Sequence, residues 1–201
     1  MSKIKLIALF SSLSAIFFVS ACFKTPTANT TRNSRTPEQS TPTAEKSAQN
    51  SPAKSGNYEQ ALKDYNSKNF ANAETGFKEV LQAEPNNANA HYYLGNIYYD
   101  RKDYETSLPH FEQAAKIDFK SVDKLMALGE NQRALKKFDY AIVQYQKVIG
   151  FEPNNANAYY ALGLTYIGLN NKIAARQQLQ KLEPLNKALA DKLSKEIDNL
   201  K

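Results

Sequence analysis

Few side chains in this 201-residue sequence are of types that do covalent or metal chemistry at neutral pH, so their spacing is weighed first. Cys22 is the single cysteine, and His91 and His110 are the two histidines. A lone thiol can close no disulfide within the chain, so the fold must be held by packing alone. Neither histidine is paired with a cysteine, and no His-x-x-x-His or Cys-x-x-Cys spacing occurs, so no transition-metal site is expected. There is no Gly-rich phosphate loop and no Gly-x-Ser-x-Gly elbow. The carboxylates are scattered as on solvated helices. Without a motif that has a mechanism, the expectation is a protein that is not an enzyme and holds no cofactor or metal.

The chemistry at Cys22 depends on what precedes it. Lys3 and Lys5 form a short positive segment, and Leu6 to Val19 is an apolar run broken by Ser11, Ser12 and Ser14. Its length suits a signal-peptide core and falls short of the roughly 20 residues a membrane span needs. Val19-Ser20-Ala21-Cys22 resembles a bacterial lipobox: an aliphatic residue, two small residues, then Cys. The resemblance implies that 1–21 is a lipoprotein signal peptide and that Cys22 is acylated on sulfur, with palmitate or its like, to become the mature N-terminus. The lipid bilayer is then a partner, because two or more acyl chains, at about 0.8 kcal/mol per buried methylene, anchor stably where one does not. Phe23 stands where an Asp would favour inner-membrane retention. The expected place is the cell envelope, on the outer membrane facing the periplasm if the cell has two membranes.

Residues 22–56 read as a disordered Ser/Thr/Pro-rich tether. Of the 34 residues from 23 to 56, 25 are Ser, Thr, Pro, Asn, Ala or Gln, and Phe23 is the only large apolar one. Nothing there offsets the entropy of ordering the chain, and Pro26, Pro37, Pro42 and Pro52 disrupt any helix. The reach is on the order of 30 Å. Charge follows the same division. The net charge is +6, but 57–201 holds 19 cations against 18 anions. The basic character belongs to the leader and tether, and the near-neutral remainder argues against a nucleic-acid-binding face.

What positions the rest is a repeat. Glu84-Pro85-Asn86-Asn87-Ala88-Asn89-Ala90 recurs letter for letter as Glu152-Pro153-Asn154-Asn155-Ala156-Asn157-Ala158, an offset of 68, twice 34. Leu94-Gly95, Leu128-Gly129 and Leu162-Gly163 mark the 34-residue register. On these residues the chain resembles the tetratricopeptide repeat (TPR) family over roughly 54–201. The resemblance implies an all-α, right-handed TPR superhelix of about four helix-turn-helix repeats (54–87, 88–121, 122–155, 156–183) plus a C-terminal capping helix (184–201). Small residues stand where helices A and B cross: Gly95, Gly129 and Gly163 on A, Ala73, Ala141 and Ala175 on B. Leu94, Leu128 and Leu162 lie opposite Phe77, Phe111, Tyr145 and Leu179, and Phe70, Tyr104 and Phe138 open helix B. Pro85 and Pro153 stop helix B, and the Asn-Asn pairs after them suit a turn and a helix cap.

There are departures. Ser107 replaces the small Ala, Phe119 replaces the boundary Pro, and Gln132 stands where Tyr98 and Tyr166 do. Pro109 is expected to kink its helix B or delay its start, and the first repeat reads Gln60-Ala61 for Leu-Gly. Leu185, Leu189, Leu193, Ile197 and Leu200 then form one apolar face, opposite a mixed-charge face, as a solenoid end requires.

The remaining candidate is the concave wall. Carried over residue by residue, it comprises Tyr58, Leu62 and Tyr65 in repeat one and Asn89, Tyr92, Asn96 and Tyr99 in repeat two. Repeat three contributes Asp123, Met126, Glu130 and Arg133, and repeat four Asn157, Tyr160 and Leu164. Tyr offers apolar area with a hydroxyl and Asn offers a donor and an acceptor, a surface suited to the backbone of an extended peptide. Several of these tyrosines can equally pack between helices. The family's carboxylate clamp is absent, since Tyr58, Leu62, Tyr93, Asp123 and Ala127 occupy its positions. The expected function is a membrane-anchored protein–protein interaction scaffold or adaptor of the bacterial cell envelope, serving assembly, secretion, pilus or cell-wall machinery. The alternative is a peptidoglycan- or glycan-binding envelope lipoprotein.

Overall fold

The computed structural model describes residues 52–200, with side chains from Asn57 onward. The leader, Cys22 and most of the expected tether lie outside the described residues. Nine helices make up the described chain, with no strand. They run α1 (Pro52–Asn66), α2 (Phe70–Ala83), α3 (Ala88–Asp100), α4 (Tyr104–Ile117), α5 (Val122–Ala134), α6 (Phe138–Phe151), α7 (Ala156–Gly168), α8 (Lys172–Leu182) and α9 (Lys187–Asp198). α1 begins inside the stretch expected to be tether. Pro52 is its first residue, the one helical position where a missing amide donor costs nothing.

Each helix packs on the next, and pairs stack on pairs. Successive A helices touch (α3 with α5, α5 with α7), whereas successive B helices stand further apart, so the A helices line the inside of the curve. The turn inside each pair is the same device four times. Lys68, Lys102, Lys136 and Asn170, spaced by 34, all adopt the left-handed region, with φ between 55° and 63°. The following residue then opens helix B, capped by its own side chain at Asp103 and Asn171 but not at Lys137.

The duplicated heptapeptide is the turn between pairs. Asn87 Oδ1 accepts from the Ala90 amide at 3.0 Å while its Nδ2 donates to Glu84 at 3.0 Å. Asn155 does the same with Ala158 and Glu152, at 3.0 and 2.7 Å. The two helix ends are thereby locked together through one side chain. His91 Nε2 reaches the Pro85 carbonyl at 3.1 Å, and the Tyr159 hydroxyl reaches Pro153 in the same way at 3.1 Å. A carbonyl only accepts, so His91 carries its proton on Nε2, and its Nδ1 accepts from His110 Nδ1, 3.2 Å away. Where Phe119 replaces the proline, Ser121 caps α5 and Lys124 bridges to Asp118 at 3.0 Å, and the register holds.

Pro109 does not delay its helix. α4 opens at Tyr104, 34 residues after α2, and runs unbroken to Ile117. Pro109 is exposed and close to the helix start, so it removes one bond on the solvent side and its ring meets no neighbour across the core. Ser107 is buried and its hydroxyl donates to the Gly95 carbonyl at 2.8 Å, so the substitution adds a bond at the crossing. Gly95 and Gly129 sit against Phe111 and Tyr145, but Gly163 meets Leu193 of α9, so the capping helix takes the place expected for Leu179. In the first pair Ala61 of α1 takes the glycine position, and it crosses α2 at Gly76, where an added Cβ would lie 2.8 Å from the Ala61 Cβ. α9 buries Ala190, Leu193 and Ile197 and closes the stack.

Candidate functional site: the inner groove

A cavity of about 410 Å³ opens on the inner wall between α3, α5 and α7. It gathers Tyr92 and Asn96 from α3, Asp123, Met126, Glu130 and Arg133 from α5, and Asn157, Tyr160 and Leu164 from α7, all anticipated in the sequence. The structure adds Val122, Ala127, Ala161 and Asn155. Asn155 is the cap of α7, so one side chain both fixes the helix end and borders the groove. Its placement followed from the heptapeptide, and the other three lie one residue or one helical turn from residues already assigned to the wall.

Five anticipated residues lie outside this cavity. Tyr58 and Leu62 pack against the first core cluster, with the Tyr58 ring edge-on to Phe77 at 5.9 Å. Tyr65 lies against Phe70 and Tyr93, and Tyr99 against Tyr104 and Phe111. Asn89 is exposed, and its amide opposes the effect of burial on the Tyr58 hydroxyl. Burial of these rings pushes the Tyr58, Tyr65, Tyr92 and Tyr99 hydroxyls above the ordinary phenol range. Tyr92 belongs to both sets: it lines the cavity and packs on Tyr93 and Phe111. Asn96 lines the cavity beside Tyr92, and its amide opposes the effect of burial on the Tyr65 and Tyr92 hydroxyls.

The charges of the groove sit on α5. Asp123 is exposed at the rim. Glu130 is half-buried, and loss of solvent raises its carboxyl, an effect that neighbouring Arg133 opposes. Arg133 Nε is buried with no partner, and the Tyr145 hydroxyl behind it is buried without one too. The groove therefore presents amides, two aromatic rings, an apolar patch from Met126 and Leu164, and on α5 a carboxylate and a guanidinium whose Nε lacks a hydrogen-bond partner. No group of three or more His, Cys, Asp or Glu among the described residues is arranged to hold a metal ion.

Comparison with known proteins places this architecture. Models of the tetratricopeptide repeat match residues 88–120 and 156–187, and a TPR repeat model matches 125–170. The chain therefore carries tetratricopeptide repeats across 88–120 and 125–187. Among curated proteins, anaphase-promoting complex subunit 3 of Schizosaccharomyces pombe (strain 972 / ATCC 24843) is 25% identical over 128 residues, 64% of this chain. Human superkiller complex protein 3 is 30% identical over 84 residues, 42% of this chain. The chain spans only 19% and 5% of those two proteins. Among solved structures, YrrB, described as a TPR protein with an unusual peptide-binding site, superposes with a TM-score of 0.67 at 22% identity, covering 71% of this chain and 75% of its own. MamA superposes with a TM-score of 0.60 at 23% identity, covering 69% and 90%. A tetratricopeptide repeat protein from Parabacteroides merdae ATCC 43184 gives 0.68 at 20% identity, covering 75% and 60%. The fold is an all-α TPR solenoid.

Proposed function

We propose that this protein is a lipid-tethered adaptor of the bacterial cell envelope, which holds an extended segment of a partner protein in its inner groove. The carrying observation is the cavity shared by α3, α5 and α7, where Asn96, Asn155 and Asn157 stand among Tyr92, Tyr160, Met126 and Leu164. Side-chain amides spaced along a curved wall suit a peptide backbone, whose donors and acceptors alternate, and the apolar side chains between them suit alternate residues of that peptide. The tether supports the same reading. A domain held within about 30 Å of one membrane meets partners there at a raised effective concentration.

The groove is tested by introducing positive charge at exposed positions, because Tyr92 is too deep in the packing for its loss to report on binding alone. Asp123→Arg with Asn157→Arg leaves the core untouched, since both side chains are exposed. A protein partner recovered by crosslinking in the envelope is expected with the native chain and lost with the double variant. Recovery of peptidoglycan fragments and no protein sinks the adaptor reading. For the anchor, Cys22→Ser is expected to abolish incorporation of an alkyne-bearing palmitate and to release the protein into the soluble fraction. Undiminished labelling would place the lipid elsewhere.

A further inference from the structure

The 34-residue period allows the outer seams between successive repeats to be compared position by position. Between repeats one and two the seam is filled by rings. Tyr98 stacks on His110, with centroids 5.6 Å apart and planes at 13°, and His91 bonds His110 at 3.2 Å. The Tyr98 hydroxyl donates to Glu74 of the preceding repeat at 2.8 Å. Between repeats three and four, Tyr159 and Tyr166 are half-buried in the packing. Between repeats two and three the equivalents of His91, Tyr98 and His110 are Leu125, Gln132 and Gln144, and none carries a ring.

What remains there is a cleft of about 320 Å³ between α4 and α6, floored by Leu125, Leu128 and Gln132 of α5. Two departures from the repeat pattern thus meet in one place, because Phe119, the residue that replaces the boundary proline, forms the mouth with Tyr140. Both are large and unusually bare, 61% and 65% exposed. In the floor, Gln132 Oε1 is buried with no donor. Lys116 and Lys147 line the cleft and Lys120 lies over the Phe119 ring. None of the three is ion-paired among the described residues, and Glu112 is the single acid lining the cleft.

We propose that this outer cleft is a second binding site, which takes a tyrosine side chain from an acidic segment of a partner protein. The neighbouring seams show which kind of group fits, since the chain's own rings occupy them. Exposed Phe119 and Tyr140 offer edge and face contacts to an incoming ring. A phenol hydroxyl supplies the donor that Gln132 lacks. The uncompensated lysines favour carboxylates flanking that tyrosine. The site lies on the face opposite the groove, so one partner can occupy each.

The experiment is a nuclear magnetic resonance titration of the Gln132 and Gln144 side-chain amides and the Leu125 and Leu128 methyls. The probes are N-acetyl-Glu-Tyr-Glu-amide, its Lys-Tyr-Lys counterpart and its Glu-Ala-Glu counterpart. Saturable shifts are expected with the first, at least several-fold weaker binding with the second, and none with the third. Gln132→Tyr restores the residue of the neighbouring seams and is expected to abolish the shifts while keeping or raising the thermal midpoint. Should that variant fold poorly, Phe119→Ser at the exposed mouth carries the test, with several-fold weaker binding expected. The proposal is overturned by no shifts in the native chain, by shifts that persist in the variants, or by an equal response to the alanine peptide. A dimer in sedimentation velocity that Gln132→Tyr dissolves would make a second copy the occupant and overturn it as well.

Discussion

The same substitution should have opposite signs at two glycines of this chain. At Gly95 an added Cβ stands 2.6 Å from Cδ1 and 2.7 Å from Cε1 of Phe111, where carbon atoms rest about 3.5–4.0 Å apart. The ring must retreat by roughly 1 Å, yet Phe111 is 1% exposed and flanked by Tyr92 and Tyr99, with centroids at 6.2 and 6.3 Å. Overpacking of this kind costs about 1–3 kcal/mol, while Ala gains about 0.8–1 kcal/mol over Gly in a helix. The net expectation for Gly95→Ala is a loss of up to about 2 kcal/mol. At Gly150, near the end of α6, an added Cβ meets nothing within 4 Å, and the backbone is not in the left-handed region. Gly150→Ala should therefore stabilise by up to about 0.8 kcal/mol. Urea unfolding followed by circular dichroism reads both, as a midpoint that falls for the first and rises for the second with unchanged slope. If Gly95→Ala stabilises as Gly150→Ala does, helix crossings in this solenoid are not set by close packing, and the reasoning fails.

Other expectations rest on single contacts. His110 is held down to about 4, first by burial and then by His91 and Lys78, with Glu74 opposing. A base depressed in the folded state gives stability that is full above its ordinary 6.5 and is lost as pH falls toward 4. Glu74, lowered to about 2 by Lys78, Tyr98 and Arg101, stays ionised through that window. The urea midpoint should therefore drop more steeply from pH 7 to pH 5 in the native chain than in His110→Gln; equal slopes would remove the histidine pair from the account. Lys136 sits at φ 58° and Lys137 opens α6 without a side-chain cap. Lys136→Gly with Lys137→Asp should stabilise by about 1–2 kcal/mol, by relieving left-handed strain and adding a cap, and no gain in the urea midpoint would contradict this. Asn155→Ala should cost about 0.5–2 kcal/mol through the lost cap, and hydrogen exchange should quicken first at the Ala158 amide.

The period, the starts of helix B at Phe70, Tyr104 and Phe138 and the crossing glycines Gly95, Gly129 and Gly163 were legible in the sequence because one geometric constraint recurs every 34 residues, and repetition makes a constraint visible. The same holds for Asn87 and Asn155, whose role as caps could be read from an identical heptapeptide. Groove membership was less legible. Tyr58, Tyr65 and Tyr99 share their residue type with Tyr92 and Tyr160 but are drawn into packing by Phe77, Phe70 and Phe111 on the neighbouring helices, contacts that depend on the crossing geometry. Pro109 misleads because a proline's cost depends on which side of the helix it faces. The outer cleft was present in the sequence only as two unrelated departures, Phe119 and Gln132. Their meeting is a property of the fold.

The central claim, that the inner groove holds a polypeptide, is tested most directly by photo-crosslinking from one residue on each face. A benzophenone amino acid at Asn157, exposed beside the groove, is compared with one at Arg176, exposed on α8 of the outer layer. A discrete polypeptide adduct is expected from position 157 in intact cells and is lost on Asp123→Arg. An adduct from position 176 alone, or from 157 to peptidoglycan alone, would contradict it.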